Sequence, residues 1–172
     1  MDLHFDPMRL LRLLSFVLLN VLAGCAGYAP TDSMLGEPFA AILERMGAPT
    51  RVSFLQHGSQ KWVYSRGPYG EHTFFLTFNA QGRLERFEQV LTDERFRTIE
   101  SNMVIAEVEA ILGPAKVTRQ LARNRGLVAS YRYENALCQW FEVEYAEDSR
   151  VRHAGYSVAP ECLNDRVFRF QP

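Results

Sequence analysis

The chain has 172 residues, 47% of them apolar and 23% charged, with a formal net charge of −1 at pH 7. That balance excludes a general nucleic-acid binder, which needs a basic surface, and membrane association through bulk positive charge. The apolar content suffices for the packed core of one domain or two small ones.

Residues 1–24 read as a secretory leader. The apolar run from Leu10 to Val21 is broken only by Arg12, Ser15 and Asn20, and it ends on small residues. It falls short of the roughly 20 apolar residues that span a bilayer. Asp2 and Asp6 stand where a leader carries positive charge, so Met8-Arg9-Leu10-Leu11-Arg12 is the better start. Leu22-Ala23-Gly24-Cys25 resembles the lipobox of bacterial lipoproteins. The resemblance implies acylation of Cys25 as the mature N-terminus and attachment to the membrane through that lipid. Ala26, rather than aspartate, follows the cysteine, which in the enteric sorting rule implies the outer membrane, on its periplasmic face. Residues 25–33 (Ala26-Gly27-Tyr28-Ala29-Pro30 and onward) read as a tether of at most about 29 Å.

Cysteine usage points the same way. With Cys25 set aside, Cys138 and Cys162 form an even pair, and in an oxidising compartment the default is a disulfide closing a loop of about 25 residues. A metal site or a redox pair is the rival reading. The absence of C-x-x-C and the wide separation of His57, His72 and His153 favour the disulfide.

Beyond the tether, Pro38 opens a helix carrying Phe39, Ile42, Leu43 and Met46 on one stripe, closed by Gly47 and Pro49. Strands follow at 50–55, 61–65 and 72–78, and a turn at Asn79–Gly82 leads into a return strand over 83–91. The return strand changes phase between Leu84 and Phe87, which predicts a bulge. The pattern then restarts: helices over 94–99 (capped by Thr92 or Asp93) and 103–112, a Gly113-Pro114 stop, and strands at 116–121, 128–134, 139–145 and 150–158. Gly47 and Gly113 are 66 residues apart, Trp62/Tyr64 and Tyr131/Tyr133 are 69 apart, and Phe74/Leu76/Phe78 and Phe141/Val143/Tyr145 are 67 apart. These offsets predict an internal duplication. The fold class is α+β, two tandem helix-helix-antiparallel-meander units over 34–91 and 92–172, the second with a C-terminal tail.

The ordered set Met46-Gly47-Ala48-Pro49, Trp62-Val63-Tyr64 and Gly82-Arg83-Leu84 behind a lipobox resembles the SmpA/OmlA (BamE) domain of small outer-membrane lipoproteins. A second copy reads Leu112-Gly113-Pro114, Tyr131-Arg132-Tyr133 and Ser149-Arg150-Val151. The β-lactamase inhibitory proteins are similar in layout, with two such units in tandem. The first resemblance implies a non-enzymatic module serving the β-barrel assembly machinery or envelope maintenance. The second implies an inhibitor that binds an enzyme through its tandem sheets.

For chemistry the sequence offers little. No nucleophile, base and orienting group cluster, and no catalytic residue, cofactor, metal or small-molecule substrate is expected. Two features are candidate partner sites. Lys116, Arg119, Arg123 and Arg125, with Arg132, form a stretch without an acid between Glu109 and Glu134. It could meet lipid phosphates or an acidic partner, or it could pair across strands with Glu142 and Glu144. Phe75 and Trp140 fall opposite their strands' apolar stripes. They are either partner anchors or contacts buried between the two units.

Overall fold

A computed structural model describes residues 27–163. The leader, Cys25 and the tail 164–172 lie outside the described residues. The architecture is α+β, with two four-stranded antiparallel sheets, each a meander in sequence order. Sheet 1 comprises β1 (Arg51–Phe54), β2 (Gln60–Ser65), β3 (Thr73–Phe78) and β4 (Leu84–Gln89); sheet 2 comprises β5 (Val117–Gln120), β6 (Leu127–Arg132), β7 (Gln139–Tyr145) and β8 (Val151–Val158). Helix α1 (Phe39–Met46) precedes sheet 1, while the single-turn α2 (Asp93–Phe96) and α3 (Ile105–Leu112) precede sheet 2. The expected two helices per unit hold only for the second. In the first, a 3-10 turn at Asp32–Met34 comes before α1.

The layers stack as α1, sheet 1, α2 with α3, sheet 2. Alternation along β2 and β3 sends Trp62, Tyr64, Phe74, Leu76 and Phe78 to one face, where they pack on Ile42 and Met46 of α1. Val63 and Phe75 point to the opposite face and join Val108 and Leu112 of α3 in a core continuous with sheet 2. The central strands β2 and β3 of sheet 1 are therefore covered on both sides, while the edge strand β1 stays exposed. Phe75 is only 3% exposed, so of the two readings the structure takes contact between the units and removes Phe75 from the candidate partner anchors.

The duplication extends into backbone detail. Tyr64 donates to the Gly47 carbonyl at 3.0 Å, and Tyr131 to that of Gly113 at 3.3 Å. Arg83 donates to the Gly36 carbonyl at 2.9 Å, and Arg150 to that of Asn102 at 2.8 Å. Isolated bridges join Pro38 to Arg83 and Val104 to Arg150. The register shift between Thr77 and Phe78, which is the bulge expected near Leu84, recurs between Glu144 and Tyr145. These pairs correct one landmark. Tyr64 corresponds to Tyr131, not Tyr133, and Trp62 corresponds to Ala129, since Trp62 pairs Leu76 as Ala129 pairs Val143.

Helix ends follow local chemistry. Gly47 and Gly113 close α1 and α3 at φ 75° and 78°, with ψ near 180°, a region essentially reserved for glycine. Thr92 Oγ1 caps α2 by accepting from the Arg95 N–H at 3.4 Å. Glu107 reaches back to accept from the Val104 N–H at 2.8 Å.

The expected tether is also corrected. The Gly27 N–H donates to the Arg45 carbonyl, Arg66 donates to the Gly27 and Tyr28 carbonyls, and Pro30 and Met34 are buried. From residue 27 onward the chain is part of the first unit, because these groups bury and hydrogen-bond.

Candidate functional site

With the central strands of sheet 1 covered on both faces, the outer face of sheet 2 is the broad surface that no element among the described residues covers. Register places Arg119 beside Val128, Ser130 beside Glu142, Arg132 beside Trp140 and Glu144 beside His153 on this face. The corresponding positions in sheet 1 are where α3 sits. There Val63 stands in place of Ser130 and Phe75 in place of Glu142. An apolar helix seat in the first unit has become a polar surface in the second, as the terminal unit of a stacked repeat requires. Ser130 donates to Glu142 at 2.9 Å and Arg152 to Glu144 at 2.9 Å. Arg119, Val128, both glutamates, His153 and Tyr156 line a depression of about 150 Å³. Tyr156 donates to Asp93 at 2.8 Å; burial and then that bond push its hydroxyl up to about 12.

At one end of the face lies a second depression of about 200 Å³, lined by Glu71, Arg132, Tyr133, Cys138, Trp140 and Glu161 among others. Arg132 is its hub. It lies 3.3 Å from Glu71 and 3.3 Å from Glu161, and it donates to the Tyr69 carbonyl at 2.7 Å. The Glu161 contact, made through Nε, is an ion pair but not an aligned hydrogen bond. Trp140 donates its indole N–H to the same Glu161 at 3.3 Å. The Cys138–Cys162 disulfide, with Cα atoms 6.5 Å apart, fastens the helical turn 160–163 that carries Glu161. Gln139 lies opposite Val158, one residue beyond Cys138, because the bulge beside Tyr145 shifts the pairing. Next to this hub, His72 is held between the Tyr28 hydroxyl at 3.0 Å and Glu134 at 3.2 Å.

The sequence-predicted cations do not form one patch. Lys116 lies at the Arg132 end of sheet 2, its stem packed near Gly67. Arg119 lines the depression, and Arg123 and Arg125 lie beyond the far end of β5. Among the described residues none of these four side chains forms an ion pair, and the expected partners Glu142 and Glu144 are engaged by Ser130 and Arg152. Sequence reasoning did not single out Ser130, His153, or the Glu71–Arg132–Glu161 hub. Aligning the repeats at an offset of 67 would have found the first part: it sets Glu142 against Phe75 and Ser130 against Val63. The hub joins three segments distant in sequence and leaves no local signal. Among the described residues no group of three or more His, Cys, Asp or Glu is placed to hold a metal ion.

No protein-family model matches the chain, and no curated protein sequence does. Among solved structures it is similar to an extracellular protein containing a SCP domain from Bacillus anthracis, at 12% identity and a TM-score of 0.31. That match covers 81% of this chain and 49% of the other, so the chain spans about half its length. It is also similar to a DUF4309 family protein, YjgB, from Bacillus subtilis, at 10% identity and a TM-score of 0.29, covering 81% of this chain and 91% of that one. Likeness at this level carries no argument about function.

Proposed function

We propose that this chain is a non-enzymatic, lipid-anchored protein-contact module on the periplasmic face of the outer membrane. Cys25 is its anchor and the outer face of sheet 2 its contact surface. The observation that carries the reading is the exchange of Val63 and Phe75 for Ser130 and Glu142 at matching positions, which makes this sheet face polar, uncovered by any element among the described residues and flanked by Trp140. Polar surfaces with an amphipathic aromatic and arginines suit reversible protein contacts. The Leu22–Cys25 motif and the likeness to the SmpA/OmlA (BamE) domain support a role in outer-membrane protein assembly or envelope maintenance. An inhibitor acting through both sheets finds less support, since α1 and α3 pack on the central strands of sheet 1.

The test is photocrosslinking in intact cells, with a photoreactive residue at Arg119 or His153 on the open face and at Glu44 on α1 as control. The reading predicts a discrete protein adduct from the two face positions and none from Glu44. A component of the β-barrel assembly machinery in that adduct would support the assembly role. Face positions that give no adduct, or only the adducts of Glu44, would overturn it.

A further inference from the structure

The anchor and the fold together fix which end of the molecule meets lipid. Gly27 is locked to the domain: its N–H donates to the Arg45 carbonyl at 2.5 Å and its carbonyl accepts from Arg66 at 3.1 Å. Tyr28 follows, its carbonyl accepting from Arg66 at 2.8 Å and its ring edge-on to His72 at 5.5 Å. Cys25 lies two residues before this clamp, so an acyl chain on it can sit at most about 7 Å away along the backbone. The clamp stands where the 66–72 loop joins β2 to β3. The 133–138 loop joins β6 to β7 at the same end of sheet 2: Arg132 donates to the Tyr69 carbonyl at 2.7 Å, and His72 meets Glu134 at 3.2 Å. The tips of these loops carry Tyr69, 88% exposed, and Leu137, 74% exposed. Neither packs into the protein. Of the acids at the same end, Glu71 and Glu161 share the one guanidinium of Arg132, and Glu134 lies beside His72.

We infer that this end of the two sheets rests in the bilayer interface, with Tyr69 and Leu137 inserted among the lipid headgroups beside the acylated Cys25. The inference rests on the proposed anchor and adds an orientation to it. An amphipathic tyrosine and a leucine on adjoining loop tips suit the boundary between headgroups and acyl chains. Phe54, 81% exposed, provides the internal contrast, since it pairs with Gln60 at the opposite end of β2, roughly 17–20 Å away along the strand. The surface of sheet 2 then stands on edge to the membrane, open to a partner in the periplasm.

The test uses the mature, acylated full chain in vesicles of phosphatidylethanolamine and phosphatidylglycerol. Tyr69, Leu137 and Phe54 are replaced one at a time by an environment-sensitive fluorescent residue. The expected result is a blue shift and several-fold quenching by doxyl-labelled lipid at positions 69 and 137, with position 54 as in water. Aqueous emission at 69 and 137 in a chain whose Cys25 carries its acyl mass would overturn the orientation alone. A chain without that mass would overturn the anchor, and the orientation with it.

Discussion

Gly47 and Gly113 offer a matched pair of perturbations that separates backbone strain from packing between the units. Both end a helix in the same region, at φ 75° and 78° with ψ near 180°, and an alanine there costs about 1–3 kcal/mol from the backbone alone. Their surroundings differ. A Cβ on Gly47 meets nothing within 4 Å. A Cβ on Gly113 falls 2.7 Å from Thr73 Cγ2, 3.3 Å from Phe75 and 3.4 Å from Val63, all on sheet 1. Overpacking of this kind costs about 1–3 kcal/mol more. Gly113→Ala is therefore expected to destabilise the protein more than Gly47→Ala by about 1–3 kcal/mol, read from urea midpoints at unchanged m-value. Thr73→Ser removes the nearest methyl, so the double variant with Gly113→Ala should recover part of the excess as a coupling energy. Equal costs for the two glycine variants, with no coupling to Thr73, would refute the packing of sheet 1 on α3.

Phe75→Ala should cost about 3–5 kcal/mol in the same assay, as for a buried aromatic, whereas an exposed partner anchor would move stability by less than about 0.5 kcal/mol. The buried Tyr64 hydroxyl is pushed up to about 12 by burial, and burial also raises Tyr131 and Tyr145. The unfolded chain releases these protons near pH 10 while the folded chain keeps them, so stability is full below about pH 10 and falls as pH rises towards about 12. Tyr64→Phe should flatten that fall in urea melts taken across the range, and an unchanged slope would dissociate it from Tyr64. Reducing Cys138–Cys162 should lower stability by about 3–4 kcal/mol for a sequence separation of 24. Thiol titration of the denatured, unreduced protein should find neither of these two cysteines free.

Much of the fold was legible because its signals are local. Alternation in Thr73–Phe78 and Gln139–Tyr145, and glycines closing two helices, placed the strands and the two longer helices within one or two residues, while the helix expected over 94–99 ends at Phe96. The duplication was legible for the same reason, since the turns and caps repeat. Its register was not fully so: Tyr131-Arg132-Tyr133 offers two aromatics two residues apart, and the strand pairing together with the hydrogen bond from Tyr131 to Gly113 identifies which one matches Tyr64. The tether failed because its contacts are long-range; Gly27 and Tyr28 are held by Arg45, Arg66 and His72. The open face failed for a related reason. Exposure of Phe75 or Glu142 depends on whether another layer follows, and α3 follows only sheet 1.

The proposed orientation at the bilayer depends on the proposed anchor, and the mass of the mature N-terminus tests that anchor most directly. The account predicts that membrane-extracted protein begins at Cys25 and carries acyl chains on that residue. A mature chain that begins elsewhere, or one with an unmodified Cys25, would contradict it.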